Sequence, residues 1–197
     1  MRPDRELRDE QIAYYRARAS EYDITTTPTG DPFAPHGDAT RTALRAFEPA
    51  GEVLELAAGT GQWTPILAEY ATSLTAVDSS QEMLDINRAK LGRWSTRYMV
   101  ADFFAWKPPQ DYYVVFFGFF LSHVPLSHFD MFWSLVARSL RADGRVFSST
   151  RPTTASGTRS GSIVIAALSS ARSPMAASIE RSRCYGGRRT CVIGLRS

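Results

Sequence analysis

The chain lacks the features that mark secreted, zinc-binding and membrane-spanning proteins. Only two of its 197 residues are cysteine, and the six residues between Cys184 and Cys191 fit neither a zinc pattern nor a disulfide framework. The longest apolar run, residues 112–121, is too short to cross a bilayer. The charged N-terminus has no apolar segment of a secretory signal. We therefore expect a cytoplasmic protein with no metal site and no membrane partner.

Charge is distributed unevenly along the chain. Residues 1–147 contain 15 Lys and Arg, 19 Asp and Glu, and 22 of the 23 aromatic residues, for a net charge of −4. Residues 148–197 contain eight Arg, no Lys and one acid, for a net charge of +7. This predicts a globular domain at 1–147 and a separate Arg- and Ser-rich segment at 148–197. The second segment lacks the interleaved aromatics of a nucleic-acid stacking surface, so we expect no specific nucleic-acid partner.

A glycine-rich turn between two predicted strands is the most informative feature that is present. The strand at residues 52–57 leads into Gly59-Thr60-Gly61, and a second strand ends on Asp78, seventeen residues after Gly61. In a βαβ unit of this kind the glycines let the backbone approach an adenosine-like ligand, and the acid accepts hydrogen bonds from ribose hydroxyls. The spacing alone also fits enzymes that bind nicotinamide cofactors.

Three details favour another adenosine-containing ligand. Glu55 lies inside the first strand, where a carboxylate suits an aminoacyl ammonium group. The third glycine of the dinucleotide fingerprint is absent from the turn, which disfavours a pyrophosphate site. Asp102 and Phe103 follow a third strand, where they suit the exocyclic amine and the face of adenine.

These segments together resemble the class I S-adenosylmethionine (SAM)-dependent methyltransferases of the small-molecule type. The resemblance extends from about Tyr14 to Phe147 and also includes Tyr14-Tyr15-Arg16, Glu21-Tyr22-Asp23 and residues 114–125. It implies a Rossmann-like α/β fold, with a doubly wound central parallel sheet and flanking helices. It also implies SAM as the cofactor and a small-molecule methyl acceptor as the partner. Neither the acceptor nor the oligomeric state is specified by the residues.

The resemblance also implies which residues form the site. The expected cofactor-binding residues are Tyr14, Tyr22, Glu55, Ala57, Gly59, Gly61, Asp78, Ser79, Met83, Asp102, Phe103 and Phe119. Asp78 also fits a helix cap, and Met83 also fits a core residue. His123 and Tyr22 are catalytic candidates for an acceptor that must lose a proton. His123 equally fits a loop histidine bonded to backbone.

Helical spacing predicts an amphipathic N-terminal helix over the cofactor mouth, with one face formed by Ile12, Tyr15, Ala19 and Tyr22.

Thr64 is the predicted N-cap of the helix after the turn, with Pro65 at its first position. Ser79 and Glu82 form a predicted capping box for the next helix. The continuous apolar run at 112–120 predicts a strand buried on both faces.

The predicted fifth strand loses its apolar pattern at Ser148. In the family this strand usually continues with large apolar residues and an acid, as in Val-Phe-Phe-Val-Asp. Loss of one T from a GC-rich gene would change that peptide to Val-Phe-Ser-Ser-Thr, the residues at 146–150. Residues 180–197 also allow a second reading frame that resembles the family's sixth strand and its following helix. We favour a frameshift near codon 148 as the origin of residues 148–197, with a natural disordered tail as the alternative.

Either origin predicts that strand five is an exposed apolar edge, because residues 163–165 and 191–193 lack the pattern of the family's final hairpin. Activity of this chain is then in question even if SAM binds. Three alternatives to a working methyltransferase remain at this point: a noncatalytic SAM-binding protein, an inactive frameshift product, and an NAD-dependent oxidoreductase. The absent third glycine argues against the last.

Overall fold

The structure, a computed structural model, describes residues 4–26, 34–92 and 95–149, and beyond them the backbone of four short strands. Five parallel strands form the centre of the sheet in the order β3-β2-β1-β4-β5. These strands are β1 (Gly51–Leu56), β2 (Ala71–Asp78), β3 (Thr96–Val100), β4 (Tyr112–Gly118) and β5 (Leu140–Ser149). The predicted Rossmann-like fold class is confirmed.

Helices cover both faces of the sheet. They are α1 (Asp4–Arg18), α2 (Tyr22–Thr26), α3 (Ala34–Phe47), α4 (Thr64–Tyr70), α5 (Gln81–Leu91) and α6 (Phe129–Ser139). Side chains of β4 alternate between two apolar clusters, because successive strand residues point to opposite faces. Val115 and Phe117 pack with α6, whereas Val114 and Phe116 pack with α3 and α4. All four are fully buried, as the continuous apolar run predicts.

Two predicted helix starts differ from the structure by one residue. The N-cap of α4 is Trp63, which makes no side-chain cap bond, and Thr64 lies inside the helix with its hydroxyl directed to Glu55. The N-cap of α5 is Ser80 rather than Ser79: its Oγ accepts from Met83 N at 3.2 Å and donates to Glu82. A serine caps the helix as predicted, but the predicted capping box is wrong: the residue at the third helical position is Met83, and Ser80 N donates to Asp78 rather than to Glu82.

The edge of β5 differs from the sequence prediction. β6 (Ser162–Ile165) pairs antiparallel with β5, so the expected free edge is wrong for the described backbone. Its central residues Ile163 and Val164 are β-branched, which favours an extended strand. After β7 (Ser178–Ile179), β8 (Thr190–Val192) extends the sheet in parallel with β6. β9 (Leu195–Arg196) pairs with β7 in a separate ribbon.

The C-terminal end of β5 is polar although it is buried. Ser148 and Ser149 are 2% and 0% exposed, and their hydroxyls have no hydrogen-bond partner among the described residues. A buried hydroxyl without a partner costs about 1–3 kcal/mol.

The remaining predictions about the chain from 150 onward lie outside the described residues. In the described part of the chain, no helix is both long and apolar enough to cross a membrane.

Candidate cofactor and active site

A cleft that is open to solvent lies at the carboxyl ends of β1, β2 and β4. The strand order reverses between β1 and β4, which is where open α/β sheets bind their ligands. The lining residues are Ile12, Tyr15, Tyr22, Ala57, Ala58, Gly59, Thr60, Gln62, Trp63, Asp78, Ser79, Met83, Phe103, Gly118, Phe119, Phe120 and His123.

The turn after β1 has the backbone conformation that the glycines predict. Gly59 and Gly61 have φ of +53° and +87°, and Ala57 also has a positive φ of 55°. A Cβ added at Gly59 would have no heavy atom within 4 Å, so the backbone at this position faces open space. A Cβ at Gly61 would lie 2.7 Å from Asn87 Oδ1. Gly59 therefore leaves room for a ligand, whereas Gly61 allows α5 to pack closely.

Asp78 joins the end of β2 to the glycine turn. Gly59 N donates to Asp78 Oδ2 at 2.9 Å, and Ser80 N donates to Oδ1 at 3.0 Å. Burial raises the pKa of Asp78, while the backbone bonds from Ser80 and Gly59 oppose that rise. A carboxylate has about four acceptor positions. With backbone bonds from Gly59, Ser79 and Ser80, the carboxylate can still accept a further donor, such as a ribose hydroxyl.

Glu55 is placed behind the turn and not on the surface of the cleft. It is 1% exposed, and Thr64 Oγ1 donates to its Oε2 at 2.7 Å. Its Oε1 is buried and has no partner among the described residues. Burial is the main reason that the pKa of Glu55 is raised to about 8; the charge of Asp78 raises it further, and the Thr64 bond lowers it. Glu55 is therefore mostly protonated at neutral pH in the structure.

A chain of hydrogen bonds leads from Tyr98 on β3, through Asn87 on α5 and Thr64 on α4, to Glu55 on β1. Tyr98 OH donates to Asn87 Oδ1 at 3.1 Å, and Asn87 Nδ2 donates to Thr64 Oγ1 at 2.8 Å. Asn87 Nδ2 also lies 3.4 Å from Gly59 O. Asn87, which is fully buried, therefore fixes the turn, α4 and α5 relative to one another. Sequence analysis missed this residue because no motif marks an asparagine on an apolar helix face.

The residues predicted to bind the purine have different positions relative to the cleft. Met83 and Phe103 line the cleft and are 3% and 5% exposed, so each is both a core residue and a wall of the cavity. Asp102 is exposed and does not line the cleft; its Oδ1 accepts from Phe104 N at 3.0 Å. Tyr14 is 51% exposed and also lies outside the lining.

The other end of the cleft is covered by the N-terminal helices, as predicted. Ile12, Tyr15 and Tyr22 line it there, together with Phe119 and His123. Tyr15 OH lies 3.4 Å from His123 Nε2, and the two rings meet edge to face at 5.8 Å. The His123 side chain therefore contacts an aromatic hydroxyl at the cleft, an arrangement that the loop-histidine interpretation does not require.

Trp63 and Gly118 shape the floor of the cleft, and the predicted site residues did not include them. Trp63 is 3% exposed and packs edge to face on Phe119, with ring centroids 5.4 Å apart. A Cβ at Gly118 would lie 2.4 Å from Trp63 Nε1. Gly118 inside the apolar run was a usable signal, because a glycine in a strand often marks a close approach of another group.

Comparisons with known proteins identify the family. A family model for a methyltransferase domain matches residues 53–144. The solved structure of DhpI in complex with SAH is 40% identical in sequence, with a TM-score of 0.65, and the match covers 72% of this chain and 68% of that chain. This chain belongs to the class I SAM-dependent methyltransferases. No curated protein matches this methyltransferase in sequence.

Two further solved structures are similar to this methyltransferase. The DhpI-SAM-HEP complex is 39% identical, with a TM-score of 0.66, and the match covers 76% of this chain and 68% of that chain. Phosphoethanolamine N-methyltransferase 1 of Haemonchus contortus, in complex with phosphoethanolamine and S-adenosylhomocysteine, is 19% identical with a TM-score of 0.63. That match covers 78% of this chain and 34% of that chain, and it shows the shared fold alone.

The described residues of this methyltransferase fit SAM. Open space faces Gly59, Asp78 can accept a further hydroxyl donor, and Glu55 Oε1 has no partner among the described residues. The structure brings together eight of the predicted cofactor residues and the candidate His123: Tyr22, Ala57, Gly59, Asp78, Ser79, Met83, Phe103 and Phe119. No group of three or more potential metal ligands occurs among the residues that the structure describes.

Proposed function

We propose that this protein transfers the methyl group of SAM to a small-molecule acceptor that binds beside Tyr15, Tyr22 and His123. The observation that supports this proposal is the continuity of the cleft, which joins the glycine turn and Asp78 to a polar end covered by the N-terminal helices. A donor and an acceptor bound in one cleft can be held in line for reaction. A cytoplasmic location is part of the same proposal.

In this proposal the cofactor follows the residues that already surround the cleft. The backbone from Ala57 to Gly61 lies against it, and Asp78 accepts from its ribose hydroxyls. Met83 and Phe103 enclose adenine. Glu55 Oε1 is the acceptor for the aminoacyl ammonium group, which requires the carboxyl to lose the proton that burial favours. Glu55, Asp102, Tyr14 and Gly61 lie outside the lining, and in this proposal the cofactor reaches each of them from the cleft.

Bound SAM supplies a methyl group that its sulfonium centre has already activated for displacement. The protein's contribution is mainly to hold the acceptor close to that methyl group and in line with the bond that breaks. An acceptor hydroxyl must also lose a proton. His123 Nε2 is the candidate base, and its contact with Tyr15 OH at 3.4 Å is replaced by the acceptor hydroxyl when the acceptor binds. Tyr22 is the second candidate and lines the same end.

The charge of the lining favours an uncharged or anionic acceptor. Among the described lining residues Asp78 is the one acid, and it belongs to the cofactor end. The acceptor end instead offers hydroxyl and imidazole groups from Tyr15, Tyr22 and His123. A cationic acceptor would lose hydration here without gaining a carboxylate partner. The complex that holds DhpI together with SAM and HEP supports a second compound beside SAM.

The test is SAH formation from SAM with a panel of hydroxyl-bearing, carboxylate-bearing and amine-bearing small molecules. We expect turnover with a neutral or anionic hydroxyl compound, and a rate at least about tenfold lower in His123→Gln. His128→Gln is the matched control. His128 ends the short 3-10 helix Leu126–His128 and does not line the cleft. Turnover restricted to cationic amines would contradict the proposal, and so would equal rates in His123→Gln and His128→Gln.

Cofactor binding without turnover is the second candidate function, and one feature of β5 favours it. Phe119 N donates to Ser149 O at 2.8 Å, so the end of β5 holds Phe119 at the acceptor end. The two buried serine hydroxyls without described partners weaken that same end. SAM binding by calorimetry, together with no SAH formation from any acceptor class, would identify this function.

A further inference from the structure

Asp23 connects the N-terminal helices to the glycine turn. Thr60 Oγ1 donates to Asp23 Oδ1 at 2.6 Å, and Lys90 Nζ donates to Oδ2. Thr60 is 2% exposed and lies between the two glycines of the turn, whereas Lys90 lies in the last turn of α5. The Asp23 carboxylate therefore links α2 to the glycine turn, 37 residues later in the sequence, and to the end of α5, 67 residues later.

The position of Asp23 relates this link to the cleft. Tyr22, the preceding residue, lines the cleft, and so does Tyr15 on α1. The rings of Tyr15 and Tyr22 meet edge to face at 5.8 Å, so holding one side chain constrains the other. A second described link, between Arg16 and Glu82, joins α1 to α5 at 3.5 Å with both side chains about half exposed. Exposed pairs of that kind contribute little.

We propose that Asp23 is a positioning residue for cofactor binding, which places Tyr22 and Tyr15 against the bound ligand by tying α2 to Thr60. The proposal rests on the proposed function and extends it to a residue outside the cleft lining. A ligand on the Gly59–Gly61 turn touches the covering tyrosines only when the N-terminal helices are closed. It therefore binds the closed arrangement more tightly and increases its population.

The bonds of Asp23 to Thr60 and Lys90 are weak enough for the N-terminal helices to open and close over the cleft. The Lys90 and Asp23 side chains are 39% and 45% exposed, so their ion pair is screened by solvent. The Thr60 bond is shielded on the threonine side and is assisted by the charge of the carboxylate. The apparent Kd rises as the fraction of molecules in the closed arrangement falls. For variants that lose the Asp23–Thr60 bond we expect about a threefold to thirtyfold increase in the Kd of SAH.

The test uses the full chain, with SAH as the ligand and two measurements. Calorimetry gives the SAH affinity, and backbone hydrogen exchange over residues 12–25 reports closure of the N-terminal helices. The variants are Asp23→Ala, Thr60→Val, which removes the hydroxyl at constant shape, and Thr60→Ser, which retains it. Asp85→Ala is the control: it removes an exposed carboxylate from α5, and that carboxylate interacts with Gln81 and Arg88 on the same helix.

We expect SAH to slow exchange over residues 12–25 in the wild type, in Thr60→Ser and in Asp85→Ala. In Asp23→Ala and Thr60→Val, SAH still binds, with the weaker affinity given above, but most of the added protection is lost. Equal protection in Asp23→Ala and the wild type would overturn the positioning role while leaving the proposed function intact. Failure of the wild type to bind SAH would overturn the proposed function itself, and the role of Asp23 with it.

Discussion

Replacing Glu55 by Gln should change how the stability of the protein depends on pH. Burial raises the pKa of Glu55 from 4.5 to about 8 in the folded chain, so the folded state keeps a proton that the unfolded state releases above pH 4.5. This contribution is fully present below pH 4.5 and is lost as pH rises through 8. Between those values each pH unit lowers the free energy of unfolding by about 1.4 kcal/mol, for a total on the order of 4 kcal/mol.

Glutamine keeps an oxygen that can accept from Thr64 but has no proton to lose. Urea unfolding at pH 5, 6, 7 and 8, without ligand, gives the free energy of unfolding of both proteins. The wild type should lose several kcal/mol more than Glu55→Gln across this range. The raised pKa of Asp78 acts in the same direction, but Asp78 is present in both proteins and largely cancels in the difference. Parallel pH profiles for the two proteins would refute the raised pKa.

Three further predictions concern the cofactor site, the cleft floor and β5. Asp78→Asn should weaken SAH binding about tenfold to a hundredfold, since bonds to a charged group contribute about 1.5–3 kcal/mol; unchanged affinity in calorimetry would remove Asp78 from the site. Gly118→Ala should weaken SAH binding through contact with Trp63 Nε1, and Trp63→Phe should partly restore it; a failure to restore would place the defect elsewhere. Ser148→Val should raise the free energy of unfolding by about 1–2 kcal/mol, while Ser73→Val, at an exposed position of β2, should change it little.

The nucleotide sequence around codon 148 distinguishes the two proposed origins of residues 148–197. A frameshift predicts that restoring one base extends the apolar pattern of β5 past Ser148. A natural tail predicts that no neighbouring frame does so. The buried hydroxyls of Ser148 and Ser149 support the frameshift, because they occupy positions that a parallel sheet normally fills with apolar residues.

Local patterns predicted the features that depend on neighbours in sequence. The apolar runs of β1 and β4, the glycine turn and the acid at the end of β2 each carry their own signal, because a buried strand and a tight backbone turn restrict residue type directly. The capping serine was placed one residue early, since Ser79 and Ser80 are chemically equivalent and only the backbone geometry selects the second.

Features that depend on tertiary contacts were not predictable from the sequence. Tyr15 and His123 are 108 residues apart, and no pattern indicates that they meet. Glu55 was predicted to bind the aminoacyl group, and no pattern indicates that Thr64 donates to one of its oxygens behind the turn. The pairing of β5 with β6 was also missed, because strand pairing depends on an available partner more than on the flanking pattern that the sequence analysis required.

The most direct test of the account is a titration of the full chain with SAM, SAH and NAD, followed by isothermal calorimetry of Asp78→Asn with the same ligands. The account predicts saturable binding of SAM and SAH to one site, no binding of NAD, and a loss of affinity for both SAM and SAH in the variant. Saturable binding of NAD without binding of SAM or SAH would contradict the central claim that this cleft is a SAM site.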